Sequence, residues 1–230
     1  LAEVTTAGLT KPDVPARVVA VGGALAVLLT VVMIGSLDVR RVLASVDLSR
    51  STISAYGLGP NGWIFEVAVS LLALGSLAIL AVLVHRGITR WLSAGGIALS
   101  LWSLGLAMVV AFPKQDWSMP ATASGGIHRI GSLIAFVSLP IAAFLLARPW
   151  LKHAEWARHA RWTFAFGVLS VLAFSPLLYA VLSHALVGGT AWWRLIPLGY
   201  VERVLVITEV LAVLAAGLWA IAAANRPKLS

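Results

Sequence analysis

Residues 18–36, VVAVGGALAVLLTVVMIGS, form nineteen consecutive positions without a charge. As a helix rising 1.5 Å per residue, such a run covers about 28 Å, close to the hydrocarbon thickness of a bilayer. It exceeds the roughly 7–15 residues of a signal-peptide core, and no clean small-residue cleavage pattern follows it, so it reads as an anchor. The same reading finds five more spans downstream, at 63–84, 92–112, 128–147, 162–185 and 200–224. Pro113 stops the third, and Arg148-Pro149 closes the fourth. The expected organisation is an N-terminal tail (1–17), a six-helix transmembrane domain (18–224) and a C-terminal tail (225–230).

Composition agrees. Of 230 residues 60% are hydrophobic and 11% charged, whereas soluble domains run at about 45–50% and 25%. Mean hydropathy is +0.95. The chain has no cysteine, which excludes a disulfide framework, thiolate catalysis and cysteine-held metal. The net charge of +8 reflects nine acids against seventeen Lys and Arg; no basic domain stands out, and no nucleic-acid partner is expected. Walker A and GxSxG signatures are missing as well, and no GxGxxG follows a strand. The fold class is therefore all-α, a polytopic helical bundle.

Eight of the ten tryptophans (Trp63, Trp91, Trp117, Trp150, Trp156, Trp162, Trp192 and Trp193) fall near span ends, where indole prefers the headgroup layer. Placing both termini inside puts ten basic residues in the cytoplasm, among them Lys11, Arg17, Arg86, Arg158, Arg226 and Lys228. Only five (Arg40, Arg41, Arg50, Lys114 and Arg194) fall in the outer loops. This asymmetry predicts cytoplasmic termini. The basic inner loop, Arg148 to Arg161, suits a topology determinant touching anionic lipid. In the long outer loop, Val39, Val42, Leu43 and Val46 recur at helical spacing, which suits either a surface helix or a loop covering the bundle.

Ionisable groups in a span are costly, about 2.5–3.5 kcal/mol for a central aspartate on insertion scales, and usually face the bundle interior. Glu209 lies about 15 Å into the sixth span, and Glu202, seven residues earlier, shares its face. Arg203 is the neighbour of Glu202. Glu66 sits a turn into the second span, His128 and Arg129 open the fourth, His184 ends the fifth, and Asp116 and Lys114 precede the fourth. With the termini inside, all but Glu209 map to the outer half. They suggest a polar pocket open outward, although mutual ion pairing alone also accounts for much of the set. Ser175, Tyr179 and Ser183 share one face around Pro176, a pattern that most often serves helix–helix hydrogen bonding. Gly96 and Ser100 likewise suggest close helix packing.

Three short motifs occur in order: Ser54-Ala55-Tyr56-Gly57 with Gly62-Trp63-Ile64-Phe65; Phe112-Pro113-Lys114-Gln115-Asp116 with Gly126-Ile127-His128; and Gly199-Tyr200-Val201-Glu202-Arg203. Together they resemble the bacterial membrane family catalogued as domain of unknown function 998, over about residues 18–224. The resemblance implies a multi-helix membrane bundle without an assigned activity. It matches Asp116, His128, Glu202 and Arg203 to featured positions, and often has a polar amide where this chain has Glu66.

Three functions are compatible with these residues. One is a non-enzymatic protein of the bacterial cytoplasmic membrane that binds a lipid headgroup or envelope partner, with Arg129 and Arg203 on a phosphate or carboxylate. A second is a metal-dependent hydrolase drawing zinc ligands from His128, His184 and Asp116 with Glu66 or Glu202, although HExxH is missing. The third is a proton-coupled transporter using Glu209 and Glu202, without a convincing inverted repeat. No cofactor is predicted; zinc, or haem held by His128 and His184, remains open.

Overall fold

The computed structural model describes residues 13–116, 119–189 and 191–226. Lys11, Trp117 and Lys228 lie outside the described residues. Six helices, each long and apolar enough to cross a membrane, account for most of the chain. They are α1 (Val14–Leu43), α2 (Gly62–His85), α3 (Ala94–Ala111), α4 (Ala123–Ala147), α5 (Ala157–Val187) and α6 (Leu198–Ala224). Short 3-10 turns at Ile53–Leu58, Arg148–Trp150 and Trp192–Arg194 punctuate the connections.

Local chemistry sets the helix starts. Asp13 caps α1 by accepting from the Ala16 N–H, with a proline in the first turn. Ser93 and Thr122 cap α3 and α4 through the amides of Gly96 and Gly125. Each cap satisfies an amide that has no partner within its helix.

Consecutive helices pack as neighbours, and α1 closes the ring onto α6. Helix α6 also leans on α2 and α4, so it packs against four of the other five helices. Small residues permit the closest approaches. A Cβ on Gly75 of α2 would lie 2.7 Å from the Gly23 carbonyl oxygen of α1, and one on Gly105 of α3 would lie 2.6 Å from that of Gly131 of α4. Polar side chains in the interior are spent locally: Thr30 donates across to the Ala68 carbonyl (2.8 Å), and the buried indole of Trp102 to Ser76 Oγ (3.0 Å). Such cross-helix bonds suit an apolar solvent.

Several expectations change. Helix α1 runs unbroken past the predicted end at Ser36, so Val39, Val42 and Leu43 belong to its last turns and not to a separate surface helix. The atoms nearest a Cβ on Gly96 are the Arg90 and Trp91 carbonyls of the preceding turn, while Gly95 beside it packs against Leu146 of α4. Ser100 Oγ bonds within its own helix, to the Gly96 carbonyl. Ser175 and Tyr179 face away from the bundle, and Ser175 donates to the Leu172 carbonyl of its own helix. Trp156, expected in the headgroup layer, is fully buried beneath the Arg226 guanidinium.

Candidate functional site

Two ends of the bundle differ in construction. At the termini end, Asp13 accepts from Arg86 (3.1 Å) and contacts His85 Nε2 (2.8 Å), while its backbone N–H donates to the Ala224 carbonyl (3.1 Å). Arg86 also donates to the Arg226 carbonyl, and Arg226 pairs with Glu155. The start of α1, the end of α2, the end of α6 and the α4–α5 connection are thus joined in one polar latch. The Asp13 carboxyl is held below the usual carboxylate range, first by the Ala16 amide and then by His85 and Arg86. This latch was missed by sequence reasoning, although Asp13 before Val14-Pro15 is itself a cap signature.

The opposite, distal end gathers the three motifs. Arg203 Nη2 lies 2.7 Å from Asp38 Oδ1 and 3.2 Å from the Tyr56 hydroxyl, and Nε donates to the same Asp38 oxygen at 3.0 Å. Its Nη1 donates to the carbonyls of Ser51 (2.7 Å) and Gly199 (2.8 Å). Tyr56 also donates to Asp38, and Arg41 stacks over the Tyr56 ring at 4.3 Å while donating to Ser51 Oγ. Burial, reinforced by the Asp38 charge, pushes the Tyr56 phenol up to about 12.

Glu202 turns toward the same segment and accepts from the Ile53 N–H at 2.8 Å. Gly199 admits the loop backbone, since any Cβ there would meet the carbonyls of Leu48 and Ser51; its amide donates to Ser49 O at 2.8 Å. Lys114 donates to Thr52 Oγ1, and burial lowers its pKa against the opposing pull of Glu202. Lys114 lies within electrostatic reach of both Glu202 and His128. His128 is buried, with Nδ1 2.9 Å from the Phe112 carbonyl and 3.2 Å from that of Val109. Both are terminal carbonyls of α3, able only to accept, so Nδ1 carries a proton, while Nε2 has no hydrogen-bond partner among the described residues.

The predicted site residues therefore divide. Glu202, Arg203 and His128 come to the distal end, joined through Lys114 and the 48–56 segment. Asp116 is exposed in the loop beside Lys114. Glu66 and Arg129 are exposed on their helices, and His184 is half-buried near the end of α5. Among the described residues no three His, Asp or Glu side chains gather as a metal site, so His128, His184 and Asp116 do not assemble into one. Glu209 is fully buried, with neither carboxyl oxygen partnered among the described residues. Asp38 was overlooked because the first span was read as ending two residues before it.

A further feature is lateral. Between 171 and 179 no α5 residue is fully buried, and Pro176 lies within this stretch of the helix. A groove between α5 and α6, about 430 Å³, is lined by Leu169, Leu172 and Pro176 of α5 and by Tyr200, Val204 and Thr208 of α6.

A family model described as "Protein of unknown function (DUF998)" matches residues 18–219. The chain belongs to the DUF998 family. The matched range includes all of the distal network and the groove. The latch straddles its limits, because Asp13 and Arg226 fall just outside. No curated protein and no solved structure matches the chain.

Proposed function

We propose that this protein is a lipid-binding membrane protein that takes an acyl chain laterally into the α5–α6 groove. The observation that carries this reading is the groove itself. It opens on a flank that a bilayer would surround, and its lining is apolar apart from a tyrosine and a threonine. From Tyr200 to Thr208 it follows α6 for about 12 Å, most of the depth of one leaflet. The basic-residue asymmetry favours both termini inside, an orientation that would set the groove in the outer leaflet of a bacterial cytoplasmic membrane.

The headgroup position follows from the charges at the groove's mouth. Arg203, expected to hold a phosphate, already spends its donors on Asp38, Tyr56 and backbone carbonyls. Arg194 is exposed in the turn that precedes α6, and Arg50 is exposed and donates to the Arg194 and Ile196 carbonyls at 3.3 and 3.2 Å. After Arg203, these two guanidiniums lie near the start of α6 in sequence or bonding, and they suit a phosphate headgroup. The distal network then acts as the rigid frame that fixes α6.

Native mass spectrometry of protein purified in mild detergent tests this. Wild type should retain phospholipid, and Val204→Trp, which fills the groove from an exposed position, should lose it. Equal lipid retention by the two proteins overturns the reading.

A further inference from the structure

Glu209 is the twelfth residue of the 27 in α6, about 16 Å from the helix start. Its side chain is wholly enclosed and neither carboxyl oxygen has a hydrogen-bond partner among the described residues. Helix α6 is contacted by α1, α2, α4, α5 and the Ile53–Leu58 turn. The ionisable groups of those elements stand near helix ends: Arg17, Asp38, Arg40 and Arg41 on α1; Glu66 and His85 on α2; His128 and Arg129 on α4; and Arg158, His159, Arg161 and His184 on α5. The remaining two, Tyr56 of the turn and Tyr179 of α5, lie at the distal end and on the exposed outer side. Among the described residues none of these groups hydrogen-bonds to the Glu209 carboxyl. An isolated carboxylate is not tolerated in such surroundings, whereas the uncharged acid is.

The face of α6 that carries Glu209 leads to the distal end. Glu202 is seven residues earlier on nearly the same side, and Leu205, also fully buried, lies between them. Helical side chains tilt toward the N-terminus of their helix, which aims the Glu209 carboxyl toward the Glu202 end, with Leu205 and Val206 intervening on this face. Glu202 is only half-buried and is anchored by the Ile53 amide. The groove residues Tyr200, Val204 and Thr208 occupy the other side of the helix, so this arrangement stands apart from lipid binding.

We propose that Glu209 is a proton-binding site at the centre of the bundle, loaded and unloaded from the distal end past Leu205 by way of Glu202. The proton passes between solvent, the Glu202 carboxylate and the Glu209 carboxyl, with no other bond made or broken.

Infrared spectroscopy of the purified protein in lipid nanodiscs tests it. The wild type should show the high-frequency carbonyl band of an acid without a hydrogen-bond partner, and Glu209→Gln should remove it. Transfer to D2O should shift the band. Glu202→Gln keeps an acceptor for the Ile53 amide while losing the acid, and should slow the shift by about a hundredfold; Leu205→Ala should hasten it. A missing band, a band that never shifts in D2O, or one shifting at the same rate in all three proteins overturns the proposal.

Discussion

Arg203 and Asp38, 165 residues apart in sequence, meet at 2.7 Å and join the last helix to the first. The guanidinium side chain is 11% exposed and the carboxylate 27%. Removing one partner from a largely buried pair leaves the other charge uncompensated, at a cost of about 3–5 kcal/mol when burial is complete. Arg203→Gln and Asp38→Asn should each lower stability toward that range, by about 2–3 kcal/mol after allowing for partial solvation. The double variant should lose less than the sum of the two. Thermal unfolding in detergent measures this, and strictly additive losses would show that the contact contributes little.

Tyr56 titrates far above the ordinary phenol value, near 12. Its folded pKa is raised, so its contribution to stability is complete below about pH 10 and fades as pH rises toward 12. In an ultraviolet titration the step lost on Tyr56→Phe should lie near pH 12. The same variant should unfold with a weaker dependence on alkaline pH.

Asp13 shows the opposite sign. Its carboxyl is depressed by the Ala16 amide, His85 and Arg86, so its stabilisation is present above the ordinary carboxylate range and lost as pH falls through the lowered folded value. Asp13→Asn retains a cap but not the charge. Its unfolding temperature should fall below wild type at neutral pH and converge with it in acid.

Gly75 and Gly22 make a controlled comparison in the same pair of helices. A Cβ at position 75 would press on the Gly23 carbonyl oxygen at 2.7 Å, whereas one at position 22 would meet nothing within 4 Å. Gly75→Ala should destabilise by about 1–3 kcal/mol as the backbones separate. Gly22→Ala should be neutral or stabilise by about 0.4–1 kcal/mol.

Glu209 carries its own stability test. An enclosed polar group without a partner costs about 1–3 kcal/mol, so Glu209→Met should raise the unfolding temperature. A fall would show that the carboxyl has a stabilising partner.

The six spans were legible because twenty-residue apolar runs admit few other readings, and α2, α3 and α6 end within two residues of their expected limits. The expected spans fell short where a helix continues into polar sequence. Helix α1 extends through Asp38, Arg40 and Arg41 because those side chains find partners or solvent at the bundle rim, something hydropathy does not record. Glu202, Arg203 and His128 were readable as costly residues that need company, but their company was not, since Ser51, Ile53, Val109 and Phe112 contribute backbone groups that carry no sequence signature. The groove was invisible for another reason. Pro176 is conspicuous in the α5 sequence, but nothing in that sequence says which neighbouring helix it faces.

The latch between Asp13 and the end of α6 has a topological corollary. With the Asp13 amide 3.1 Å from the Ala224 carbonyl, the six helices form a closed circuit that lacks one covalent link. A circular permutant, bridged across Asp13 and Arg226 and reopened in the exposed turn at Pro60-Asn61, should insert and pack as the parent does, with five of its six spans in unchanged succession and the old first span made last.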